Sequence, residues 1–151
     1  MVTTRCCGYK NPMALDKHYK KGVNYDQDQA AQDFIAAWLR ILDLQAWDVE
    51  VRVVENKPDA WASTLYHLRT LEAKIEFRGN QTCASMEDNA AHEMLHLLHA
   101  RIDNLFDTVV NENLPQSQRD AMKSLYVDEM EAFIGKMGKV LGKLRRGEIK
   151  E

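Results

Sequence analysis

Ala90-Ala91-His92-Glu93-Met94-Leu95-His96-Leu97-Leu98-His99 is the stretch on which the reading of this chain turns. Positions i and i+4 of an α-helix lie one above the other on the same face, so His92 and His96 can present two imidazoles to one metal ion from a single rigid element. The surroundings predict a helix over residues 85–106. Ala90, Ala91, Met94, Leu95, Leu98, Ile102 and Leu105 supply an apolar face at helical spacing. Ser85-Met86-Glu87-Asp88 resembles a capping box that would open it. Glu93 follows the first histidine and leans over the same point without having to ligate, which puts a carboxylate where a metal-activated water would lose its proton. The bland alternative is a surface helix whose histidines are merely solvated.

A catalytic zinc takes three protein ligands and keeps a fourth position for water. The HExxH motif provides two, so a third has to come from elsewhere. A metzincin would place a histidine six residues after His96 and a glycine three residues after it. Ile102 and His99 stand there, which excludes that family. A carboxylate from a later helix is the remaining option, with Glu112, Asp128, Glu129 and Glu131 as candidates. A long helix is expected over about residues 117–145, weakened by Gly135, Gly138 and Gly142. At about 100° per residue from Met122, its apolar positions (Tyr126, Met130, Phe133, Met137, Val140, Leu144) cluster between about 0° and 80°. Glu129 falls near about 340°, at the edge of that stripe, whereas Glu131 falls near about 180° and Asp128 near about 240°. A carboxylate facing a core has to be paired or metal-bound. Glu129 is therefore the expected third ligand and Glu131 the fallback.

The rest of the chain supplies a small scaffold. Residues 1–24 are polar and irregular, broken by Gly8, Pro12 and Gly22. A single domain over 25–151 follows. It opens with a helix from about Asp26 to Leu44, in which Ala30, Phe34, Ala37, Trp38, Ile41 and Leu42 recur at helical spacing. Trp47 to Val54 then alternates with period two. Asn56-Lys57-Pro58-Asp59 reads as a turn. Strands are expected over Ala62–Leu68 and Leu71–Phe77, joined tightly at Arg69-Thr70. The order predicts an α+β domain: helices packed on a small three-stranded, mainly antiparallel sheet.

Composition narrows the function classes. The 151 residues carry 20 Lys and Arg against 23 Asp and Glu, a formal charge of −3, which predicts no strong attraction to nucleic acid or membrane. The basic run Lys136, Lys139, Lys143, Arg145, Arg146 reads as a solvated helix end. No apolar run approaches the ~20 residues of a membrane span. The opening residues lack the apolar core of a secretory signal, so a cytoplasmic location is expected. Three cysteines, with Cys6 and Cys7 adjacent and Cys83 apart, form neither a disulfide framework nor a CxxC zinc site.

The HExxH context together with Glu129-Met130-Glu131-Ala132 on a later helix resembles the minimal gluzincin-type zinc metallopeptidases, including small phage- and prophage-encoded members and the repressor-cleaving proteases of mobile elements. The resemblance implies a zincin-like fold and zinc held by His92, His96 and Glu129. It also implies Glu93 as general base, a peptide or protein substrate, and the third strand as the sheet edge beside the cleft. His67, Tyr66, His99 and Tyr126 are candidates for steadying a developing oxyanion, with Tyr126 serving equally well as core packing. Asp103 is a candidate for orienting His96 or His99. Two readings compete with an enzyme: a non-catalytic zincin-like interaction or regulatory module with structural or no zinc, and a helical DNA-binding or scaffolding protein with a chance HExxH. Cys83 would close a structural site only if the chain folds back.

Overall fold

The computed structural model describes residues 26–55 and 60–149. The expected irregular segment 1–24, the turn at 56–59, Cys6 and Cys7 lie outside the described residues. Among those described, no helix is long and apolar enough to cross a membrane.

The first helix, α1 (Gln27–Ile41), starts where Asp26 accepts a hydrogen bond from the Gln29 amide at 3.2 Å. It stops short of the expected Leu44 because Asp43 takes a left-handed conformation (φ 56°). Three strands follow, β1 (Asp48–Val54), β2 (Ala62–His67) and β3 (Glu72–Arg78). β2 and β3 form an antiparallel hairpin in which His67 pairs with Glu72. The connection is wider than Arg69-Thr70 alone, because Leu71 leaves the strand with φ 54° and packs against the core.

The sheet is mixed rather than mainly antiparallel. Its order is β1-β3-β2, with β1 parallel to β3. Alternation along each strand reveals which face is buried but not which strand lies between the others. β3 has the most completely buried face, with Ala73, Ile75 and Phe77 at 7%, 0% and 0% exposure, and takes the centre. β2, with Leu65 largely exposed, takes the edge. The expectation that the third strand is the edge is therefore corrected. Ile75 and Phe77 share one apolar cluster with Phe34 and Trp38 of α1 and with Met86, Ala90 and Met94 of the next helix.

That helix, α2 (Cys83–Asn113), is longer than expected and is capped by Thr82, whose hydroxyl accepts from the Ser85 amide. The predicted capping box at Ser85 lies inside the first turn. After Leu114-Pro115 the chain reverses into α3 (Gln116–Arg145). The two long helices run antiparallel in constant register. Gly138 sits on His92, Gly142 on Asp88, and Lys123 Nζ bonds Asp107 at 2.9 Å, so four residues forward on one helix match four back on the other.

Candidate metal centre

The i, i+4 spacing on α2 brings His92 and His96 together, Nε2 to Nε2 at 3.1 Å with the ring centroids 4.9 Å apart. The carboxylate that reaches them is Glu131, not Glu129. Its Oε2 lies 3.4 Å from His92 Nε2 and its Oε1 3.3 Å from His96 Nε2. Among the described residues these three side chains are the group able to hold a metal ion. Glu129 is exposed on the outer side of α3, as is Asp128, and Glu112 is exposed near the end of α2.

The displacement has a physical cause. The expectation treated the apolar stripe of α3 as its inward face, yet Met122, Phe133, Val140 and Leu144 are 41–49% exposed. The buried residues of α3 are Ile134, Gly138 and Gly142. On the same wheel these fall at about 120°, 160° and 200°, bracketing Glu131 at about 180°. Gly138 and Gly142 are where α3 meets α2 closely rather than points where the helix weakens.

The donor set suits a metal. Zinc bonds of about 2.0–2.2 Å at the tetrahedral angle place neighbouring donor atoms roughly 3.3–3.6 Å apart. The His92–His96 separation of 3.1 Å comes within a few tenths of an ångström of that, and Glu131 meets the two rings with different oxygens, at 3.3 and 3.4 Å, so the three side chains each offer a donor atom within 4.8 Å of the others. Burial pulls the His92 pKa below the ordinary histidine value and His96 adds to this, while Glu131 opposes it. A ring held neutral is the form that ligates. Cys83 heads the same continuous helix, nine residues before His92 and so about 13.5 Å away along the axis, too far to close the site.

Glu93 is held against the sheet rather than among the three donors. It is 4% exposed and accepts a 2.7 Å hydrogen bond from Thr64 Oγ1 on the edge strand β2. His96 and Glu131 open into a cleft of about 450 Å³, lined also by Tyr66, His67, Asp103 and Tyr126. Asp103 does not bond the histidines. Its carboxylate accepts from the Tyr126 hydroxyl at 2.6 Å and the Tyr66 hydroxyl at 3.4 Å. Burial and the Asp103 carboxylate push the Tyr126 phenol up to about 12 and raise Tyr66 as well. His99 turns away: its Nδ1 lies 2.9 Å from the Leu95 carbonyl oxygen and its ring packs edge-on against Phe133.

Two features have no counterpart in the sequence reading. Thr64 is one, and nothing in its local pattern marks it as the partner of Glu93. The other is a clamp in which Glu87, fully buried, meets Arg145 and Arg146, while Arg146 also bonds Asp88 at 2.6 Å. These two arginines are thus not solvated. Burial would lower the Arg146 pKa, but Glu148 and Asp88 raise it on balance. Glu87 sits four residues before the apolar position Ala91, a signal that could have flagged a buried carboxylate. The chain matches no family model, no curated protein and no solved structure.

Proposed function

We propose that the chain is a zinc-dependent metallopeptidase of the gluzincin kind, with His92, His96 and Glu131 holding the ion and Glu93 carrying the proton. The observation behind this reading is the convergence of three donor side chains from two helices, with ligand atoms within 4.8 Å of one another, two of them from an HExxH motif. Zinc bound there would polarise a scissile carbonyl and lower the pKa of water. Glu93, next to His92 in sequence, takes up the proton of the attacking water and returns it to the leaving amine, and Thr64 fixes the orientation of its carboxylate. Glu131 is 51% exposed, which leaves the centre accessible from the cleft. An extended peptide can add along the outer edge of β2, the strand that carries both Thr64 and Tyr66.

The burial of Glu93 and its existing bond to Thr64 favour one competing reading, a non-catalytic zincin-like module. Metal analysis of wild type and Glu93→Gln, combined with cleavage of a mixed peptide library, separates the two. The enzyme reading expects about one zinc per chain in both proteins, with cleavage by wild type only. Zinc in both without any cleavage favours the module. No metal in wild type refolded with zinc overturns both zinc readings.

A further inference from the structure

We infer that Gly138 is a positioning residue for the metal centre: having no side chain where α3 crosses α2 at His92, it sets the helix separation at which Glu131 spans His92 and His96. The inference rests on the reading of these three side chains as metal ligands. A Cβ on Gly138 would lie 3.1 Å from the His92 amide nitrogen and 3.2 Å from both its Cα and Cβ. These are backbone and backbone-attached atoms that cannot rotate aside, and they belong to one of the donors. Gly138 follows Glu131 by seven residues, two helical turns, so both stand on the same face of α3. A displacement at Gly138 is therefore passed along a rigid helix to the carboxylate.

The crossing is also held from sliding. A Cβ on Gly142 would overlap the Asp88 carboxylate, which is itself fixed by the 2.6 Å bond from Arg146. Arg145 and Arg146 both engage the buried Glu87. Separation and register of the two helices are thus set between Gly138 and Arg146, about two to four turns after Glu131. Gly135 provides a control within the same helix, since a Cβ there would meet nothing within 4 Å. Alanine gains the same intrinsic helix propensity at either position, so the two substitutions differ only in what the methyl group touches.

The experiment compares wild type, Gly135→Ala and Gly138→Ala by chelator competition with Zn²⁺ and Co²⁺, alongside thermal unfolding of each metal-free protein. Gly135→Ala is expected to bind both ions as wild type does. Gly138→Ala is expected to lose about ten- to a hundredfold in affinity while folded, the loss typical when the support of a ligand is disturbed. Its Co²⁺ absorption should weaken as the donor set opens, a change that a loss of fold stability alone does not produce. If Gly138→Ala fails to fold, Gly142→Ala substitutes, because there the far ends of the Asp88 and Arg146 side chains, rather than backbone, have to turn; a smaller loss of the same sign is expected. Variants of Gly138 or Gly142 that fold and hold metal as tightly as Gly135→Ala overturn the positioning role and leave the metal centre intact. A wild type that binds neither ion overturns the metal-centre reading, and the positioning role falls with it.

Discussion

Truncating Glu131 and Glu129 in turn tests the arrangement of α2 and α3 more sharply than any other pair of changes. Only Glu131 approaches both imidazoles, at 3.4 and 3.3 Å. Structural zinc sites with four ligands bind with an apparent 10–16 kcal/mol at neutral pH, about 2.5–4 kcal/mol for each donor. Losing one of three donors should therefore weaken zinc binding by about 10²- to 10³-fold. Glu129 is exposed on α3 and touches neither histidine, so Glu129→Ala should stay within about 0.5 kcal/mol, less than about threefold. Neither change should unsettle the metal-free fold, because the Glu131 side chain is itself 51% exposed. Chelator competition at neutral pH measures the affinities, and thermal unfolding of the metal-free proteins checks the fold. A loss in Glu129→Ala with Glu131→Ala unaffected would mean that α3 is turned the other way and would refute the register described above.

Thr64→Val removes a 2.7 Å bond to a carboxylate that keeps a further partner, so the cost should lie near about 1.5 kcal/mol, roughly 3–6 °C in melting temperature for a domain of this size. An unchanged melting temperature would show that the bond contributes nothing. Glu87→Ala leaves Arg145 and Arg146, 17% and 8% exposed, without their buried partner and should cost about 3–5 kcal/mol in urea unfolding. A loss below 1 kcal/mol, the size of a surface pair, would mean that the clamp is solvated. The Tyr126 phenol, raised from 10 to about 12, favours the folded state while neutral. That contribution is complete below the ordinary tyrosine value and is lost as pH rises through the folded one. The denaturant midpoint should therefore fall between pH 10 and about 12, and fall less steeply in Tyr126→Phe; equal slopes would refute the shift.

What could be read in advance was what is local in the chain. The pairing of His92 and His96 follows from helical spacing alone, and the inward alternation of Ala73, Ile75 and Phe77 from strand spacing alone. Partners distant in sequence could not be read this way. Strand order depends on which strand's apolar face is buried most completely, a comparison across β1, β2 and β3 that no single strand contains. The carboxylate beside the histidines was misplaced for a related reason. Helical periodicity identifies an inward face by hydrophobicity, on the assumption that burial is driven by apolar side chains. α3 meets α2 instead through Gly138, Gly142 and the arginine clamp on Glu87, where close backbone approach and paired charge determine the buried line. Its apolar stripe is left half exposed. Glycines four residues apart within a long helix were a competing sign of the inward face, and they point to Glu131. Such glycines cost helix propensity unless another backbone approaches them. Two of them in a 30-residue helix are therefore better read as the line along which that helix is packed.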